Sequence, residues 1–266
     1  MTQTERTSTH QQETKRVRKI GYFNMKGGQG KSTLSENIAA ALAQMGYKVL
    51  LIELDMQRNA SSIYSGEIKH TLTDVLTERV TLKEAIHQAR ENFHIIPADT
   101  ELDTAANYII SKGRRAYKIL ARQIEELTDF NFILFDHSPS WSAVSETAHL
   151  ASTELLVPCE LEPYAIDGIL SMFKKLEEHL EDHKIQLVGI IPNRVNFSSS
   201  MTSQYLQQLQ ETFKEKVTPI IRIDKQIPRS QAYRETIFEH NPKSKAAADI
   251  QELALFIIRA GGDSNA

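Results

Sequence analysis

The chain has 266 residues, 41% hydrophobic and 24% charged, with a formal net charge of -3. A chain of this size buries a core without disulfides or a structural metal, and the single cysteine, Cys159, can neither close an internal disulfide nor build a metal site alone. The slightly acidic balance excludes a global attraction to nucleic acid or anionic membrane, leaving only local patches for such binding, and no stretch approaches the roughly 20 apolar residues of a membrane span.

Residues 1–18 are polar, carry Lys15, Arg16 and Arg18 next to Lys19, and lack the apolar segment of a secretory signal; they read as a disordered polar and basic tail. From residue 19 to 260 short apolar runs alternate with helical patterns, and 261–266 form a short polar tail. The expected strands are Ile20–Phe23, Val49–Ile52, Phe93–Ile96, Phe132–Phe135, Leu155–Val157 and Leu187–Ile191, with Thr218–Ile221 at a sheet edge because of Pro219. Helices are expected at 32–45, 72–90, 114–127, 142–150, 165–182, 201–215 and 244–259. In the fifth, Ile166, Ile169, Leu170, Phe173, Leu176 and Leu180 fall on one face. Apolar strands without strict alternation, separated by helices, predict an α/β fold: a mostly parallel, twisted sheet with helices on both faces.

The first strand runs into Lys26-Gly27-Gly28-Gln29-Gly30-Lys31-Ser32-Thr33, and a helix with Leu34, Ile38, Ala41 and Leu42 starts at once. A phosphate cradle requires this order: glycines let backbone N–H groups converge on an anion, and the helix N-terminus adds partial positive charge. Lys31 would reach the β- and γ-phosphates of ATP, and the Ser32 hydroxyl would ligate Mg²⁺. The apolar run Phe132–Phe135 ends in Asp136, a second Mg²⁺ candidate at the carboxyl end of a buried strand. Another strand ends at Asp55, a position otherwise typical of caps and turns.

The usual phosphate-loop pattern wants glycine where this chain has Met25, and a second lysine, Lys26, opens the loop instead. This form resembles the ParA/MinD family of ATPases. The resemblance implies a P-loop fold and slow ATP hydrolysis in a nucleotide-sandwich homodimer, with Lys26 reaching the partner's phosphates much as an arginine finger does. It makes Asp55 the residue that orients the attacking water, with departures from the family pattern at Met56 and Arg58. It makes His137 a substituted switch-loop residue, with a general base as the other reading, and it places Pro192 and Asn193 at the adenine. Val157–Gly168 resembles the family's entry to its dimer-face helix, and Pro242-Lys243-Ser244 its closing stretch.

Family members differ in what the ATP dimer binds. The stretch Leu253–Ala266 has one basic residue, unlike the amphipathic membrane helix of MinD-type proteins. Arg222, Lys225, Arg229 and Arg234 fall where ParA-type proteins contact DNA, and imply nonspecific, salt-sensitive duplex binding. The phosphate loop begins too early for the long N-terminal helix-turn-helix domain of the larger ParA-type proteins, so operator-specific repression is not expected. The expectation is a cytoplasmic, nucleoid-associated ATPase that positions a plasmid, chromosome or protein cargo with a ParB-like or other adaptor stimulating hydrolysis, and no membrane partner. A MinD-like protein and a non-hydrolysing ATP-binding regulator are the alternatives. One cysteine speaks against a relative of the nitrogenase iron protein.

Overall fold

A computed structural model describes residues 16–57, 59–180 and 183–261. The expected tail up to residue 15, Arg58, the last two positions of the helix expected at 165–182, and the polar tail from 262 lie outside the described residues. The first half contains β1 (Arg18–Tyr22), α1 (Lys31–Gln44), β2 (Val49–Glu53), α2 (Leu72–Leu76), β3 (His87–Arg90), β4 (Phe93–Ile96), α3 (Leu102–Lys112), α4 (Arg114–Tyr117) and α5 (Ile119–Ile124). The second contains β5 (Phe132–Asp136), α6 (Ala143–Ala151), β6 (Glu154–Glu160), α7 (Ala165–Leu180), β7 (Gln186–Asn193), α8 (Ser200–Phe213), α9 (Gln226–Tyr233), α10 (Ile237–His240) and α11 (Lys245–Ala260).

The strands form one seven-stranded sheet in the order β3-β4-β2-β5-β1-β6-β7, parallel except for the antiparallel edge pair of β3 and β4. Every residue of β2 and β5 is buried, as strands covered on both faces require. The two faces divide by the pleat. Leu51, Leu134 and Leu156 pack with α1 and α11, whereas Leu50, Ile133 and Phe135 pack with α2, α3, α5 and α6. On α1 the ten residues Leu34–Ala43 are all buried, because α11 closes over the side turned away from the sheet. The carboxyl ends of β1, β2 and β5 therefore lie side by side, with β5 between the other two.

The expected helix at 72–90 is corrected. Only Leu72–Leu76 is helical, capped by Thr71 and Asp74, and His87–Arg90 is an edge strand. The edge strand expected at Thr218–Ile221 is reduced to two isolated bridges, Ile190 with Val217 and Val195 with Arg222. The stretch 114–127 breaks into α4 and α5, and α3, α9 and α10 appear where no helix was expected. On α7 the buried stripe is Ile169, Met172, Leu176 and Leu180, while Leu170 faces outward.

Candidate functional site

The loop from Phe23 to Gly30 turns through two left-handed glycines, Gly28 at φ 79° and Gly30 at φ 88°. Gly30 is the N-cap of α1 and has no side chain to offer the first-turn amides, which leaves those N–H groups to an anion. A Cβ on Gly30 would lie 2.1 Å from Nδ2 of Asn193, so glycine is required there by space as well as by φ.

The loop's carbonyls are held by side chains from the start of α1 and from the end of β7. Lys31 Nζ donates to the carbonyls of Asn24 (3.1 Å) and Lys26 (3.3 Å). Arg194 donates to the Gly28 carbonyl (3.2 Å), and Asn193 Nδ2 to that of Gln29 (2.9 Å). Gln29 is clasped in turn: its Oε1 accepts from the Glu160 amide at 2.7 Å and its Nε2 donates to Glu162 at 3.3 Å. Four of the loop's carbonyls are thus occupied by side-chain donors, and none of them is left to compete for an incoming cation or to face an anion unpaired. Asn24, whose side chain spans from the Lys26 amide (2.9 Å) to the Pro158 carbonyl (2.8 Å), anchors the loop to β6. Nothing local in the sequence marks Asn24, Glu160, Glu162 or Arg194 for these contacts.

The carboxylates sit on the strand ends beside this loop. Asp136 pairs in register with Tyr22 on one side and Glu53 on the other, and is completely buried. Neither of its oxygens has a hydrogen-bond partner of normal geometry among the described residues. Burial pushes its pKa up to about 8, against the Ser32 hydroxyl and Lys31 nearby, with Glu53 and Asp55 adding to the rise. An unsatisfied buried carboxylate beside a serine hydroxyl and an ammonium suits a divalent cation shared with a bound phosphate. Among the described residues no three His, Cys, Asp or Glu side chains are arranged to hold a metal by themselves. Lys31 is buried; burial lowers its pKa, and Asp136 and Asp55 oppose that shift.

Asp55 follows β2, half-buried, with Oδ1 accepting from the Gln57 amide at 3.0 Å. Its neighbour Glu53, which sequence reasoning passed over, is structural. Its Oε1 accepts from the Ala60 and Ser61 amides (2.8 and 3.1 Å) and its Oε2 from Ala98 (3.2 Å), fixing the loop after Asp55. Glu36 on α1 is buried with both oxygens unpartnered among the described residues. Burial first, then the charges of Asp136 and Glu53, push its pKa well above the usual carboxylate range. His137 is buried and stacks on His149 at 4.1 Å. Burial holds both imidazoles neutral, His137 well below its usual range and His149 down to about 3.

Lys26 is exposed, and its ammonium lies 2.5 Å from Oε1 of Glu162. Met25, next to it in the chain, is exposed, as are Met56, Leu170 and Tyr164, the last 82% exposed and at φ 63°. Pro192 is buried and its carbonyl accepts from the Ile221 amide at 2.8 Å.

The basic segment lies elsewhere, on and around α9. Lys225 is the N-cap of this helix and Arg234 its left-handed C-cap, with Arg229 between them. All three are exposed and make no ion pair among the described residues. Arg222 stands apart from them. It donates to Asp249 from Nε (3.0 Å) and Nη2 (2.6 Å), so its charge is already neutralised by a buried carboxylate on α11. Two lysines without an assigned role in the sequence join the set: Lys243 and Lys245 line a shallow cavity of about 450 Å³ together with Lys225.

A family model described as an AAA domain matches residues 17–189. The chromosome-partitioning ATPase Soj of Thermus thermophilus is 30% identical over 244 residues, covering 90% of this chain and 94% of that protein. Among solved structures, an ATP complex of Cyanothece McdA matches with a TM-score of 0.80 at 21% identity, over 92% of this chain and 96% of that one. The septum site-determining protein MinD of Pyrococcus horikoshii, complexed with Mg-ADP, matches with a TM-score of 0.77 at 24% identity, over 93% and 98%. These two share the fold.

Proposed function

We propose a function for a chain that belongs to the ParA/MinD family of P-loop ATPases: an ATP-driven dimer that binds duplex DNA without sequence preference and positions a cargo. In this reading Gly27, Gly28, Gln29, Gly30, Lys31, Ser32 and Thr33 cradle the phosphates of ATP through the loop's N–H groups, the Lys31 ammonium and the two hydroxyls. Ser32 and Asp136 hold Mg²⁺, which when bound draws charge from the transferring phosphoryl group. Asp55 orients the attacking water, and Lys26 leaves Glu162 to meet the phosphates of a second copy. Pro192 and Asn193 border the adenine.

The observation that carries the DNA assignment is the outward set on α9, Lys225, Arg229 and Arg234, extended by Lys243 and Lys245. Lys225, Lys243 and Lys245 line one shallow cavity, with Asp224 among them, and Arg229 lies one turn along α9 from Lys225; in a chain with net charge -3 they make a local basic cluster that composition alone does not forecast. One such patch binds weakly. Two on a dimer bind with the second contact made intramolecular, so ATP controls DNA occupancy by controlling dimerisation. The apolar face of α11 supports this over a membrane-bound role: Ala246, Ala247, Ile250, Leu253 and Ile257 are buried, several of them against α1. A cytoplasmic, nucleoid-associated location and a ParB-like or other adaptor that stimulates hydrolysis complete the proposal.

The test is a fluorescence titration of two unrelated duplexes at low and moderate salt, with and without ATP. Equal, salt-sensitive binding to both in ATP alone supports the reading. Preference for one duplex, or binding to anionic vesicles instead, rejects it.

A further inference from the structure

The helix that carries the outward cations is tied to the first turn of the phosphate helix. Gln231, on the inner side of α9, donates from Nε2 to the Thr33 hydroxyl at 3.0 Å. One turn further along α1, Asn37 donates to the Thr33 carbonyl at 2.8 Å and accepts from the Ile237 amide, the first of α10, at 2.8 Å. Thr33 thus has its hydroxyl on α9 and its carbonyl, through Asn37, on α10. Arg90 closes the module from the sheet edge, pairing with Glu239 at 2.5 Å and reaching the Arg234 carbonyl at 3.5 Å.

A threonine hydroxyl has one proton to donate and lone pairs to accept with. Because Gln231 is the donor in this bond, the Thr33 proton remains available to the phosphate cradle. We propose that Gln231 is a positioning residue that transmits nucleotide occupancy to the basic helix, through the relay Gln231 Nε2–H to Thr33 Oγ1–H to a nucleotide phosphate oxygen. This rests on the reading of Thr33 as part of the phosphate cradle. A hydroxyl that donates to an anion becomes a better acceptor, since successive hydrogen bonds polarise one another. Phosphate binding therefore tightens the Gln231 bond and holds α9 in one pose, with Lys225 and Arg229 presented together. Linkage makes the effect reciprocal: a ligand that fixes α9 from outside tightens nucleotide binding by the same factor.

The test is amide hydrogen exchange on the full chain with Mg²⁺-ATP at saturation, in a Lys26→Ala background that disfavours the dimer. ATP is expected to slow exchange of the α9 amides about fivefold, the lower end of ordinary couplings between sites. Gln231→Leu is expected to abolish that slowing while ATP still protects the loop and the first turn of α1, which shows that nucleotide is bound. Thr33→Ser, which keeps the hydroxyl, should retain the α9 response. A purely structural Gln231 would loosen α9 equally with and without ATP. Undiminished ATP protection of α9 in Gln231→Leu overturns the relay, whatever the DNA result. If the relay holds while Arg229→Glu leaves DNA binding intact, the coupling stands and the DNA face has been misplaced.

Discussion

The ammonium of Lys26 lies 2.5 Å from Glu162 Oε1, so the lysine that the resemblance assigns to a partner's phosphates is paired within its own chain. Glu162 also takes the side-chain amide of Gln29 at 3.3 Å, which ties the residue before α7 to the loop at two points. The pair is solvent-exposed and is worth at most ~1 kcal/mol. Glu162→Gln should therefore lower the ATP concentration for half-dimerisation by up to about fivefold, as read by sedimentation. Lys26→Ala should impair dimerisation and phosphate release more than monomer affinity for ATP. Unchanged dimerisation in both variants would return Lys26 to an ordinary surface lysine.

Gly30 supplies a sharper steric test. Its φ of 88° and a Cβ position 2.1 Å from Asn193 Nδ2 burden any larger residue twice. Left-handed backbone alone costs a non-glycine residue ~1–2 kcal/mol, and the clash displaces the side chain that holds the Gln29 carbonyl. Gly30→Ala should weaken ATP binding tenfold or more by calorimetry, and Asn193→Ala alone, which removes the hold on the Gln29 carbonyl without straining Gly30, should weaken it less. Wild-type affinity in Gly30→Ala would show that the loop does not need this geometry.

The phosphate loop was legible because its requirements are local: glycine, lysine and hydroxyl at fixed offsets between an apolar strand and an apolar helix. The buried strands were legible for the same reason, each being a short apolar run. What failed was long-range. Leu82, Ala85 and Ile86 mimic helical spacing, yet His87–Arg90 pairs antiparallel with β4, a choice made by the neighbouring strand. Pro228 and the interspersed charges concealed α9, whose inner side is fixed by Thr33, some 200 positions earlier. Asp55 and Glu53 look alike as strand-end acids. Only the fold separates them, since Glu53 spends its oxygens on three backbone amides. Arg222 looked like its basic neighbours until Asp249 arrived from α11.

Asp55 should separate binding from turnover. Among the described residues its hydrogen bond is to the Gln57 amide and not to the phosphate loop, so Asp55→Ala should leave ATP affinity within about twofold while slowing hydrolysis at least ~100-fold, the scale of a lost general base. The ATP dimer should then persist on a sizing column. Turnover at the wild-type rate would show that another group positions the water.

His149 predicts a pH dependence of folding. Both its ring nitrogens lack partners among the described residues, and burial, assisted by His183, pushes its pKa down to about 3. The folded pKa lies below the unfolded value, so protons bind preferentially to the unfolded chain. Stability is held above the unfolded pKa of ~6.5 and falls as pH drops below it, by up to ~1.4 kcal/mol per pH unit from this residue alone. His149→Phe, which keeps the ring contacts to Phe23 and Trp141, should flatten the decline in urea stability between pH 6.5 and 5. An unchanged slope would mean that His149 is hydrated or paired.

Arg222 and Arg229, seven residues apart, should behave oppositely. Removing the Arg222 side chain leaves the Asp249 carboxylate, buried at 7% side-chain exposure, with the backbone amide of residue 222 at 2.9 Å and no counter-charge among the described residues. Arg222→Ala should cost about 1–3 kcal/mol of folding stability, as for other buried groups that lose a charged partner. Its effect on DNA affinity at fixed folded protein should be small. Arg229 is exposed on α9 without an ion partner among the described residues, so Arg229→Glu should leave thermal stability near wild type. It should weaken ATP-dependent binding to all duplexes alike and reduce the steepness of the salt dependence by about one phosphate contact per protomer. The two measurements are urea unfolding and a duplex titration across salt. If Arg222→Ala instead preserves stability and abolishes DNA binding, the Asp249 pair opens in the complex and Arg222 rejoins the DNA-contacting set.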